Sequence, residues 1–194
     1  MGTRLKFRPL TPDRWDDLED LFGPRGACGG CWCMWWRCTR RQFDLNGNEG
    51  NRRAFRKIVS QGSPPGILAY AADRAVGWCS VAPRESYPSV MRSRVLKPAD
   101  AQPAWAVTCL FVARDWRGRR MSEALVRASV DYVRERGGRL VEAYPTDPRG
   151  KRLAAVSSYM GTPAIFRAAG FREFSRPSPA RVIMRRQLRP RRSR

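Results

Sequence analysis

Between Trp105 and Tyr144 the sequence passes from an apolar stretch through an arginine-rich turn into an amphipathic helix and a second apolar stretch. That order leaves few folds open. Trp105 to Val112 (WAVTCLFV) is the most strand-like run in the chain. The helix extends from Gly118 to about Arg136. Met121, Leu125, Ala128 and Tyr132 fall on one stripe of it, with Val126, Ser129 and Val133 beside them. Gly137-Gly138 stops it. Leu140 to Tyr144 reads as another buried strand. Two strands joined by a helix make a βαβ crossover, and such crossovers are right-handed.

The remaining segments fit around that unit. Residues 4–10 alternate about Leu5 and Phe7 and read as a first strand. Thr11-Pro12-Asp13 is a helix start, with Trp15, Leu18, Leu21 and Phe22 following at helical spacing. Residues 25–50 read as irregular, and a second helix fits 49–60. Ile67 to Ala72 and Ala75 to Val81 flank Asp73-Arg74 as a hairpin. A proline-bearing loop covers 82–103, a short helix 162–169, and two strands 171–175 and 181–188. The expected class is α+β: one domain over residues 1–188, with a mixed, mostly antiparallel central sheet and helices on both faces. Residues 189–194 are left as a basic tail.

Composition narrows the chemistry. The chain has 194 residues and no histidine, which removes histidine acid/base catalysis and histidine-ligated metals. Net charge is +21, and only Lys6, Lys57, Lys97 and Lys151 are lysines, so the cations are nearly all arginine. Arginine over lysine fits either a surface that binds phosphates bidentately or codon bias, but codon bias does not explain the excess over acids. Residues 181–194 hold seven arginines and no acid, so the rest still carries +14. Such a body attracts coenzymes, nucleic acids or acidic surfaces and repels polycations. No run approaches the roughly 18 apolar residues that cross a bilayer, and MGTRLKFRPL lacks a signal segment. A cytoplasmic protein with reduced thiols and no membrane contact is expected.

The turn Arg114-Asp115-Trp116-Arg117-Gly118-Arg119-Arg120-Met121-Ser122 lies between strand and helix. Unpaired N–H groups at a helix start, the helix dipole and nearby arginines together make an anion site. The alternative is an ordinary connection with solvated arginines. Here the chain resembles the GNAT superfamily of acyl-CoA-dependent N-acyltransferases. LFVARDWRGRRMSEALV (residues 110–126) is similar to its coenzyme A motif, and FRAAGF (Phe166 to Phe171) to its terminal helix-to-strand motif. GGCWCMWWR (Gly29 to Arg37), GWCSVAPRESY (Gly77 to Tyr87) and VEAYPTDP (Val141 to Pro148) resemble a bacterial subgroup of it.

The resemblance implies acetyl-CoA as co-substrate and direct acetyl transfer to a primary amine. It implies a splayed βαβ unit in which backbone amides of Leu110, Phe111 and Val112 face the pantetheine and thioester. Arg117, Gly118, Arg119, Arg120, Met121 and Ser122 would form the pyrophosphate loop, with Phe166 also near the coenzyme. Arg117 keeps the motif's first position, Ser122 is a mild change, and Arg120 stands where glycine is usual. An arginine holding helical φ/ψ there would add a phosphate contact; an obstructed loop would abolish binding. The family's thiolate-protonating tyrosine is replaced by Phe166, which leaves Tyr159 as a substitute acid or as a core residue. Glu142, in an apolar strand, is the leading general base, unless it is solvent-facing or paired with an arginine. Glu85 is the second.

Cys28, Cys31, Cys33 and Cys38 crowd eleven residues without the second pair that a four-cysteine zinc site takes. No metal is expected. Trp32, Cys33, Trp35 and Trp36 are read as one wall of the acceptor site, against the alternative of a plug over the sheet end. Cys109 reads as a small core residue. Two other functions stay open: a basic protein binding RNA or acetylating aminoacyl-tRNA, and a degenerate partner module. Either a monomer or a homodimer fits.

Overall fold

A computed structural model describes residues 4–150 and 158–189. Seven strands form one sheet: β1 (Leu5–Pro9), β2 (Gly66–Ala71), β3 (Arg74–Pro83), β4 (Trp105–Val112), β5 (Leu140–Ala143), β6 (Arg172–Ser178) and β7 (Arg181–Gln187). Their order is β1-β2-β3-β4-β5-β7-β6. Every neighbouring pair is antiparallel except β4 with β5. That parallel pair is bridged by α4 (Met121–Glu135), as the apolar pattern predicts.

The sheet is covered on both sides. Ile67 and Ala69 face one side with Val107 and Leu110, under α4 and Phe166 of α5 (Pro163–Ala168). Leu68, Tyr70 and Trp78 face the other, under α1 (Trp15–Phe22) and α2 (Arg40–Ser60). Burial on two faces explains why β2 to β5 read as continuous apolar runs rather than as alternation. A third cluster, with Tyr87, Ala106, Tyr144, Met160 and Ile183, closes the end of the sheet at the start of β4.

Three local expectations are corrected. The helix start at Thr11 opens as a single 3-10 turn (Pro12–Arg14) before α1. The 82–103 loop contains another such turn and α3, one turn of helix (Pro88–Met91). Most of all, α2 begins at Arg40, not near residue 49, with Thr39 accepting from the Gln42 amide as its cap. Gly47 interrupts it at φ 57, ψ −164, so it is two helical pieces meeting at a kink. Among the described residues no helix is long and apolar enough to cross a membrane. Past Arg189, the expected tail lies outside the described residues.

Candidate functional site

The feature that creates a site is the short contact between β4 and β5. They pair only from Trp105 to Val107 against Val141 to Ala143. Beyond Val107, β4 runs on for five residues without β5 beside it. Backbone donors there face alternately to either side of the strand. Ala113 N–H bonds the Val76 carbonyl, so Phe111, two residues back, also faces β3. Leu110 N–H faces the open side, where it donates to the Tyr159 carbonyl at 2.6 Å. Val112 shares that side by the same alternation.

At the end of β4 the chain makes a 3-10 turn (Arg114–Trp116) and enters α4. Arg120 caps that helix in the left-handed region at φ 56, ψ 22, not with the helical angles expected for it. Gly118 is left-handed as well, at φ 76. Two left-handed residues flanking Arg119 fold the turn back on itself, which is why glycines suit it. Arg120 makes no side-chain cap, so the first-turn amides of α4, Ser122 among them, are free for a ligand. Arg114, Arg117, Arg119 and Arg120 are all exposed around them, while Met121 is buried beneath. Arg117 Nε donates back to the Val112 carbonyl at 3.2 Å, and Arg119 lies over Trp116. Arg74 pairs with Asp115, leaving the neighbouring arginines without a carboxylate. The arrangement is a positive, donor-rich notch beside an open strand edge.

The other candidate residues divide between the notch's flank and the core. Glu142 is 2% exposed and surrounded by donors. It accepts from Arg84 Nη1 at 3.0 Å, Arg185 Nε at 2.8 Å and the Tyr144 hydroxyl at 2.9 Å. Arg185 also pairs with Asp100 at 2.6 Å. This carboxylate ties β5 to β7 and to the turn after β3; its acceptor positions are taken by the protein itself. Glu85 is exposed on that turn. Phe166 is fully buried, edge-on to Phe171. Tyr159 is half-buried beside Trp36, and burial raises its phenol to about 12, so the phenol stays protonated near neutral pH.

The cysteine-tryptophan segment is a chain of left-handed turns: Gly26, Ala27, Gly29, Gly30, Trp32 and Cys33 all have positive φ. Two asparagines hold it. Asn48 bonds Trp32 Nε1 at 2.6 Å and the Pro24 carbonyl at 2.9 Å, and buried Asn51 bonds the Gly30 carbonyl. Trp32 stacks on Trp15 within the α1/α2 core, so it lies under the segment rather than on its outer side. Cys33 is also buried, accepting from Trp78 Nε1 at 3.0 Å. Although burial opposes a thiolate there, the Cys109 thiol, the Trp78 N–H and nearby Arg37 hold the Cys33 pKa below the usual thiol value. Trp35 and Trp36 are partly exposed, Trp35 under Arg40 and against Phe43. All six cysteines are free, and no three potential metal ligands converge among the described residues.

Sequence reasoning missed Arg37. Its Nη2 donates to the Tyr87 hydroxyl at 3.1 Å, the Pro65 carbonyl at 3.2 Å and Ser80 Oγ at 3.4 Å, while its guanidinium stacks on Tyr87. Ser80 lies opposite Cys109 on β4, the residue before Leu110. The signal was the segment's only cation standing directly beside Trp36. A surface hollow of about 160 Å³ lined by Arg8, Arg14, Asp17 and Tyr70 lies elsewhere, on the β1–β2 edge.

Residues 32–156 match the model of the acetyltransferase (GNAT) family. The chain belongs to that family. The match begins within the cysteine-tryptophan segment and takes in the whole βαβ unit. No curated protein sequence matches. Solved structures share the fold at low identity. The PaiA N-acetyltransferase of Thermoplasma acidophilum, solved with coenzyme A, is 13% identical with TM-score 0.53 over 95% of this chain and 99% of its own. An acetyltransferase of Thermus thermophilus is 18% identical with TM-score 0.52, over 97% and 100%. A GCN5-related N-acetyltransferase of Kribbella flavida is 16% identical with TM-score 0.55, over 95% and 98%.

Proposed function

We propose that this GNAT protein is an acetyl-CoA-dependent N-acetyltransferase acting directly on a primary amine. The observation that carries the reading is the uncapped start of α4, ringed by four arginines, at the end of a strand whose outer edge has no neighbouring strand beyond Val107. The free amides of α4 and the guanidiniums of Arg119 and Arg120 bind the coenzyme's pyrophosphate. The open edge of β4 receives the pantetheine arm, with the Leu110 amide as the donor to the thioester oxygen. A C–N bond forms, the C–S bond breaks, and the amine's proton ends on the coenzyme sulfur. Tyr159, whose burial keeps the phenol protonated and whose carbonyl sits on the Leu110 amide, relays that proton, giving its own to the leaving sulfur and taking the amine's in return. Glu142, saturated by three donors, serves to hold β5 where the splay begins.

The test is a calorimetric titration with acetyl-CoA at moderate salt, with ATP as control polyanion. Saturable binding at least tenfold tighter than ATP, followed by thiol release with amines, is the expected result. Equal, weak, salt-sensitive binding of the two ligands refutes it and favours the RNA-binding reading instead.

A further inference from the structure

The chain carries 17 aspartates and glutamates, all of them among the described residues, and none pairs with Arg37. Most of the more covered arginines have a carboxylate: Arg84 and Arg185 share Glu142, and Arg52 holds Glu19. Arg37 instead donates to neutral groups, Tyr87, Ser80 and a backbone carbonyl, all through one nitrogen, and its remaining acidic neighbour is the buried Cys33 thiol rather than a carboxylate. Its Nε is buried with no hydrogen-bond partner. The Trp36 indole nitrogen, on the adjacent residue, is also buried without a hydrogen bond of good geometry, its nearest polar neighbour being the Tyr159 hydroxyl. A covered donor left unmatched is costly, and a covered cation without a counter-ion more so. Two such donors on consecutive residues mark a place for an anion that the protein itself does not supply.

Its position tells what the anion belongs to. Arg37 reaches Ser80, which pairs across the sheet with Cys109, and Cys109 precedes Leu110. Trp36 packs in one cluster with Tyr159, whose carbonyl rests on the Leu110 amide. The two donors therefore flank the stretch of β4 where acetyl transfer is proposed, on the side away from the start of α4. One guanidinium offers one charge and a planar fork, with one indole N–H beside it. That set matches a carboxylate; a phosphate dianion would remain half-neutralised.

We infer that the acceptor is an amine that carries a carboxylate, such as an amino acid, and that Arg37 and Trp36 bind its carboxylate. The inference rests on the proposed amine acetylation, but its anion site is tested independently. The full-length protein, with coenzyme A present, is titrated calorimetrically with L-amino acids, their carboxamides and matching aminophosphonates. The same panel is run with acetyl-CoA for thiol release. At least one acid should bind tenfold or more tighter than its amide, and the ratio should fall to about one in Arg37→Gln. Arg37→Lys, which keeps the charge but not the fork, should give an intermediate ratio. The wild-type comparison needs no variant, so a poorly folding variant does not blunt the test. Amides binding as well as acids, phosphonates binding better than both, or a ratio unchanged in Arg37→Gln overturns the inference. Acids held through Arg37 without any transfer would overturn the acetylation reading and leave the anion site standing; transfer indifferent to the carboxylate would do the reverse.

Discussion

Arg120 offers the sharpest quantitative test of how the turn before α4 is built. Its φ of 56 places an L-residue where Cβ crowds the following carbonyl, at a cost of about 1–2 kcal/mol. Replacing it by glycine removes that cost but adds about 0.5–1 kcal/mol of backbone freedom to the unfolded chain. The balance favours Arg120→Gly by roughly 0.5–1 kcal/mol over the wild type. Arg120→Ala keeps the strain and loses only the exposed guanidinium, so it should match the wild type closely. With a urea slope of about 2 kcal/mol per molar for a chain of this size, the glycine variant's midpoint should rise by about 0.3–0.5 M. The same pair separates charge from backbone in coenzyme binding. If the guanidinium contacts phosphate, both variants weaken acetyl-CoA binding alike; if close backbone approach matters more, glycine binds tighter than alanine. A glycine variant no more stable than the alanine one would refute the left-handed assignment and the strain argument built on it.

Glu142→Gln should lose about 3–5 kcal/mol, because Arg84 and Arg185 are left as buried charges without their shared carboxylate; a loss under about 1 kcal/mol in a urea melt would show the network to be dispensable. Stability should decline at alkaline pH. Burial raises Cys79 and Cys31 to about 12, and Tyr132 to about 12, so folded-state stability is intact below about pH 9 and is lost as pH rises towards 12. Cys33, held low by its donors, works in the opposite sense. Thermal midpoints between pH 8 and 11 check this, and Cys79→Ala should flatten the decline. Gly26→Ala should destabilise strongly, since its Cβ would collide with the Trp32 indole ring; a melting temperature unchanged from wild type would mean that the Trp32 ring is not fixed there.

The sequence displayed some of this architecture residue by residue and hid the rest for identifiable reasons. The bounds of β4 were readable because Trp105 to Val112 is apolar on both faces and bracketed by Pro103 and Arg114. The first half of α2 was not, because RRQFDLN holds few apolar residues. It is kept helical by polar contacts, Arg40 with Asp44 and Gln42 with Asn46, and by Asn51 reaching back to the Phe43 carbonyl. The anion notch was legible from its arginines, but not the left-handed backbone of Arg120, which follows from how the turn must re-enter α4. Glu142 could be placed on β5, yet its partners come from β7 and from the turn after β3, 43 and 58 residues away in sequence. Arg37 was hidden for a related reason. What marks it is the absence of any carboxylate partner, and that is a property of three dimensions.

The Tyr159 carbonyl on the Leu110 amide has a thermodynamic consequence. Under the proposed binding mode, a ligand arriving at that edge of β4 does not fill a vacancy; it trades places with a segment of the chain. One carbonyl replaces another on the same N–H, so that hydrogen bond nearly cancels from the measured affinity. What remains is the difference between the ligand's other contacts and those given up by Tyr159. The exchange also works in reverse. In that mode a product would leave against a competitor that is always tethered nearby, so the residue that weakens binding would also speed release.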